Sequence, residues 1–157
     1  MRVSRRRGRL RLELEPLEAE TLSQTLDQLD EVVRDGDAGD PVVVRLFPSA
    51  YPDDADAEAD YRSITESGLR SERLERIEAC GGDLATDGSD TAIDLGEPDV
   101  AQRWLRTLND LRLALGTRIG VTEDDYDLDP RDPYVHDRVL YQWLTQLQDV
   151  VVVGLMD

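Results

Sequence analysis

The sequence predicts an α+β fold that is mainly helical: an N-terminal β-hairpin packed on about five α-helices. Three features of the pattern lead there. Leu10, Leu12 and Leu14 alternate with Arg9, Arg11 and Glu13, the period of two that gives a strand one apolar face. Farther along, apolar residues recur every three or four positions, as on a helix with one buried stripe. Pro16, Pro41, Pro52, Pro98 and Pro133 each precede such a stretch, and proline at the first helical position loses no hydrogen bond.

Length and composition set the frame. The chain has 157 residues, 39% hydrophobic and 34% charged. A globular chain of this size buries roughly 70% of its unfolded surface and needs no disulfide or metal to hold together. The expectation is one domain over 1–157, with an Arg-rich hairpin at 1–14 and a mainly helical body at 15–157. Membrane spans need ~20 apolar residues in a row, and neither such a run nor a signal-peptide core is present. That composition reads as a soluble cytoplasmic protein. Cys80 is the sole cysteine, so a disulfide within this chain and a multi-cysteine metal site are both excluded.

The elements follow in order. Residues 3–14 read as two strands around a turn at Gly8. An isolated hairpin is marginal in water, so it must lie on helices or another strand. After Pro16, Leu22, Leu26, Leu29 and Val33 share one face of a helix that ends at Asp35-Gly36. Residues 41–47 (PVVVRLF) conflict with themselves, since the β-branched run suits a strand while Asp40-Pro41 is a helix start. One helix is expected after Pro52, where acids crowd residues 53–60, and another from about Ser67 to Gly81-Gly82. Residues 83–97 read as loop, with a short strand possible from Thr91 to Leu95. After Pro98, Val100, Trp104, Leu108, Leu111 and Leu115 form the strongest stripe, with Gly116 as its end and Gly120 as a turn. The last helix starts near Pro133, behind Asp132 as a cap, and carries Leu140, Trp143, Leu144, Leu147 and Val151.

Charge narrows the function classes. The 35 acids outnumber 18 basic residues, for a net charge of −17. Every basic residue is arginine, and six of them (Arg2, Arg5, Arg6, Arg7, Arg9 and Arg11) lie in the first eleven positions. The rest of the chain therefore sets 12 arginines against all 35 acids, which opposes duplex DNA binding by the body. The hairpin arginines Arg5, Arg6, Arg7 and Arg9 leave two readings open. A basic two-stranded ribbon can enter a major groove; the same arginines can pair with the chain's own acids or blunt a sheet edge.

Most chemical motifs are missing. Asp125, Asp127 and Asp129 have the spacing of a calcium loop, but Pro130 stands where glycine is needed and His136 where a bidentate glutamate is needed. His136, the only histidine, reads as a polar residue in the first turn of the last helix. Neither G-x-S-x-G nor a Gly-rich phosphate loop is present. Cys80, as a redox candidate, falls at a helix C-terminus beside Glu78 and Asp83, where negative charge disfavours the thiolate.

Three stretches are more specific: RLFPSAYPDDADAEADYR (45–62), WLRTLNDLRLALGTRIGV (104–121) and YQWLTQLQDVVV (141–152). Together they resemble an actinobacterial AosR-like family, long labelled a domain of unknown function, whose genes commonly neighbour that of the ClpS protease adaptor. The resemblance implies a non-enzymatic, cofactor-free regulator connected with oxidative stress, with a sigma factor or a proteolysis component as partner. It also implies sensing through a Cys-x-x-x-Cys pair. Cys80 has Arg76 and Leu84 four residues to either side, so that pair is missing here. The resemblance further tilts 41–47 toward a short helix.

Arg45, Asn109, Asp110, Arg112 and Arg118 are the polar residues inside those stretches, read either as an internal network or as an interaction site. Buried arginines are usually paired with carboxylates, which favours the network. Asp110 and Arg118 are expected to approach each other, or each to find a partner on the last helix or the 45–52 segment. The function expected is a small regulatory or adaptor protein acting through protein–protein interaction. The alternatives are a hydrolase or metal-dependent enzyme built on the acidic clusters, and DNA binding through the hairpin.

Overall fold

A computed structural model describes residues 1–122 and 128–156, which form three strands and five α-helices. β1 (Arg2–Arg6) and β2 (Arg9–Leu14) make the hairpin, and β3 (Thr91–Asp94) pairs antiparallel with the other edge of β2. Arg7 and Gly8 turn the hairpin with φ of 52° and 82°. Two successive left-handed residues match the twist of the flanking strands. Leu10, Leu12, Leu14 and Ile93 bury the inner face. The outer face is laced by charge, with Arg2 on Glu13 and Arg9 on Asp94.

α1 (Pro16–Asp35) starts with proline at its first position and a reciprocal capping box between Glu15 and Glu18. α2 (Pro41–Leu46) settles the ambiguity of 41–47 in favour of helix. The Asp40 carboxylate accepts from the Val42 amide at 2.8 Å, and the short turn buries Val42, Val43 and Leu46. A cap contributes about 1 kcal/mol. The helix penalty of valine is at most ~0.7 kcal/mol per residue, which burial of two valines and a leucine outweighs.

α3 (Ala55–Gly82) corrects the expectation of two helices: 55–66 and 67–82 form one helix of 28 residues. Its N-terminal half buries little, so the apolar stripe fades there and looks like an interruption. Ion pairs at i,i+4 (Glu58–Arg62 and Glu66–Arg70) support that half instead. Pro52 lies in the preceding turn, and Asp54 is the cap, accepting from the Ala57 amide at 3.0 Å.

α4 (Pro98–Ile119) passes through Gly116, which was expected to end it; the left-handed cap is Gly120, with φ of 63°. Gly116 answers to packing instead, since a Cβ there would sit 3.1 Å from the ring of Tyr141. α5 (Val135–Met156) begins two residues after Pro133, and Asp132 accepts from the Tyr134 amide in the turn before it. α4 lies at the centre, against α1, α2, α3 and α5, with Trp104, Leu108 and Leu111 buried along it. The sheet rests on the end of α5, where a Cβ on Gly154 would come within 2.9 Å of Val3. Among the described residues, no helix is long and apolar enough to cross a membrane.

Candidate functional site

The three stretches that carry the family resemblance meet at one cleft between α2, α4 and α5. It is an open groove of about 380 Å³, lined among the described residues by Arg45, Arg112, Leu113, Gly116, Thr117, Gly120, Val121 and Tyr141. Arg112 is half-buried and held from three sides. Its Nε donates to Thr145 Oγ1 at 3.1 Å, its Nη1 donates to Gln148 Oε1, and its guanidinium lies 5.6 Å from the centroid of the Tyr141 ring. Both hydrogen-bond acceptors are neutral. Arg45, in the last turn of α2, is exposed at the rim. Among the described residues neither arginine forms an ion pair, and the lining contains no carboxylate. The absence of a Cβ at Gly116 leaves room for the Tyr141 ring that orients Arg112.

Asp110 faces the other way. It is 5% exposed and receives Arg73 at 3.2 Å and Arg76 at closer range, both from α3. Arg73 also stacks on the buried Phe47, 4.6 Å from its centroid, with Arg70 on the same ring. The expected approach of Asp110 to Arg118 does not occur, and its partners lie on neither α5 nor 45–52. Arg118 lies eight positions along the same helix from Asp110 because α4 continues through Gly116, so the chain has no chance to fold back. Arg118 is exposed and has no ion pair among the described residues. Asn109 is exposed too, at the edge of a groove shared with Asp110 and Arg76. Of the five polar residues singled out, the structure thus joins Arg45 with Arg112 and places Asp110, Asn109 and Arg118 elsewhere.

Cys80 is fully buried between α3 and α4, its Sγ 3.5 Å from Thr107 Oγ1. Burial raises its pKa above the ordinary thiol value, Asp83 adds to the rise, and Thr107 and Arg103 only partly oppose it. Asp83 itself accepts from Arg103 at 2.6 Å and from the Trp104 indole at 2.8 Å, closing this end of the interface.

The hairpin arginines are largely engaged within the chain. Arg9 pairs with Asp94 and Glu97, and Arg5 donates to the Gly154 carbonyl at 3.0 Å, near the end of α5. Arg6 and Arg7 are exposed. The acids at the start of α3 serve the local fold. Glu58 accepts from the Tyr51 and Ala50 amides, and those bonds, with Arg62, hold its pKa below the usual value despite the opposing cost of burial. Among the described residues, no three His, Cys, Asp or Glu side chains converge to hold a metal ion. Asp125 and Asp127 lie outside the described residues; Asp129 accepts from the Arg131 amide, and His136 is exposed.

A second feature is apolar. Val152, Val153, Leu155 and Met156, at the end of α5, are 38%, 58%, 38% and 82% exposed beside β1, an edge strand of the sheet among the described residues.

Sequence reasoning missed Arg73 and Arg76, and on α5 Tyr141, Thr145 and Gln148. The first two carried a signal, because Arg70, Arg73 and Arg76 recur every third residue and therefore share a helix face. The α5 residues carried none without knowing which helix α4 packs against.

A mainly helical α+β domain with a central helix, a cleft and a buried thiol is the class this arrangement defines. The comparisons make the assignment specific: the family model described as Domain of unknown function (DUF2017) matches residues 1–155, and the chain belongs to that family. Relatives named "Oxidative stress regulator AosR" from Mycobacterium tuberculosis and Mycobacterium bovis are each 34% identical over 151 residues, covering 85% of this chain and 69% of the relative. This is an AosR-like actinobacterial family. No solved structure matches the chain.

Proposed function

We propose that this chain is a regulator of the AosR-like kind that acts by docking a protein partner, without catalysis and without an internal disulfide switch. The carrying observation is the exposed apolar end of α5. Four large side chains stand together in water on an otherwise acidic chain, beside β1, an edge strand of the sheet among the described residues. Such patches mark protein contacts in soluble proteins, and a strand edge can extend the sheet of a partner. The names of the mycobacterial relatives support a regulatory role. A sigma factor or a proteolysis component is the partner class to test first.

The test is affinity capture from the native cytoplasm with mass spectrometry, using the natural chain and a Val153→Asp, Met156→Asp double variant side by side. Both substitutions are at exposed positions, so the melting temperature should hold. A partner retained by the natural chain and lost by the variant supports the reading. Identical captured sets, or hydrolytic activity in the purified chain, refute it. DNA binding through the hairpin is less supported, since Arg5 and Arg9 are engaged internally.

A further inference from the structure

We propose that the cleft between α2, α4 and α5 is a binding site for a phosphate monoester, with Arg112 as its oriented anchor and Arg45 as its second cation. The starting point is charge. In a chain with 35 acids and 18 arginines, a buried or half-buried arginine finds a carboxylate easily. Arg62, Arg70, Arg73, Arg76, Arg103 and Arg138 all do so. Among the described residues Arg112 is as well positioned and does not, as is also true of the half-buried Arg11 on β2. Its two bonds to α5 end on a hydroxyl and an amide oxygen, which fix the guanidinium plane without neutralising it.

The support is built in depth. Thr145 Oγ1 donates to the Tyr141 carbonyl at 2.9 Å, which leaves its lone pairs to receive Arg112 Nε. The Tyr141 ring carries the stack, and Gly116 makes room for it. A guanidinium held flat and uncompensated presents its remaining donors as a fork, the geometry that matches phosphate oxygens. Arg45 enters the same cleft from α2, so two cations border about 380 Å³ with no carboxylate among the described residues of the lining. The C-terminal end of α4 is nearby and contributes roughly half a negative charge, against two whole positive ones. A dianion gains more from that balance than a carboxylate, which is why a phosphate monoester is the class assigned.

The test is binding to the full chain at low ionic strength, followed by calorimetry and by chemical shifts of the Arg112 side chain. Three probes are used: inorganic phosphate, a short phosphoserine peptide, and the same peptide unphosphorylated. Phosphorylated probes should bind at one site and the unphosphorylated peptide should not. A tighter phosphopeptide identifies the source as a modified protein; tighter inorganic phosphate identifies it as a small solute. Arg45→Ala, at an exposed position, should weaken binding about tenfold with an unchanged melting temperature, as expected for loss of one charge-assisted contact. Arg112→Lys keeps the charge and loses the fork, and should weaken it by a similar factor. Arg118→Ala, outside the cleft, should leave it unchanged. No saturable binding of either phosphorylated probe overturns the site, as does binding that ignores Arg45→Ala or falls equally with Arg118→Ala. The outcome is independent of partner docking, because the α5 double variant leaves the cleft residues untouched.

Discussion

Asp110 and Arg112 sit two residues apart on α4 and live in opposite worlds. On the α3 side, the Asp110 charge is enclosed by Arg73 and Arg76, the Cys80 thiol is buried against Thr107, and Asp83 seals the end with Arg103 and Trp104. On the α5 side, Arg112 rests on neutral groups and faces an open cleft. Residues two apart on a helix point to different faces, so each answers to the neighbour packed there. α3 brings arginines at every third position; α5 brings Tyr141, Thr145 and Gln148. One interface uses its charges internally, and the other leaves a cation available to something outside the chain.

The largest effect should come from breaking the closed side. Asp110→Ala leaves two largely buried guanidinium groups without their carboxylate, and removing one partner of such a cluster costs about 3–5 kcal/mol. Urea unfolding should show that loss. If Asp110→Ala unfolds at the natural midpoint, the enclosed network is not what holds α3 on α4. Arg112→Ala on the open side should cost less, about 1–2 kcal/mol, because water replaces partners that were neutral and partly exposed. Equal losses for the two variants would erase the contrast between the faces.

Cys80 gives a chemical measure of the same enclosure. A thiol raised by burial is mostly protonated at neutral pH and unavailable to reagents. Its alkylation in the native chain at pH 7 should be slower than that of free cysteine, and should become fast in denaturant. Rapid native labelling would mean the α3–α4 interface opens readily. Slow labelling agrees with a structural thiol in a chain without the second cysteine of a disulfide switch.

The smallest effect is expected in acid, on the surface carboxylates. Asp132, below the ordinary 3.8 through its bonds to the Tyr134 amide and Arg138, steadies the entry to α5. Glu58, below the ordinary 4.5 through the Tyr51 amide first and then Arg62, steadies the entry to α3. Because folding lowers both values, the stability they contribute is present above the unfolded pKa and is lost as pH falls through the folded one. The melting temperature should therefore decline below about pH 4. Replacing both by their amides should flatten part of that decline, and an unaltered acid limb would show that these caps do not matter.

The fold was legible wherever a local rule was sufficient. The leucine alternation of β2, the proline start of α1 and the apolar stripe of α4 all depend on near neighbours in sequence, whereas the local signals of 41–47 conflicted and burial of Val42, Val43 and Leu46 accompanies the helix. Two local rules misled, the first because ion pairs one turn apart replace burial, the second because of a side chain distant in sequence. The stripe of α3 fades where the helix is held by ion pairs instead of burial, so one helix looked like two. Gly116 looked like a terminus because glycine is common there, while its actual reason is the Tyr141 ring, twenty-five residues away.

Composition and pattern by themselves determined that this chain would be mainly helical with a leading hairpin, that it could form no internal disulfide, and that its charge would be strongly negative outside the first eleven residues. Those properties come from counts and from periods of two and 3.6 residues. The fate of each polar residue was decided only by tertiary structure. Asp110, Arg112 and Arg118 share one motif on one helix, and they end up buried in an ion cluster, poised at a cleft and exposed to water. The reason is physical. A charge in a folded protein takes its free energy from whatever lies within a few ångströms of it, and a helix fixes only which way a side chain points, never what it meets.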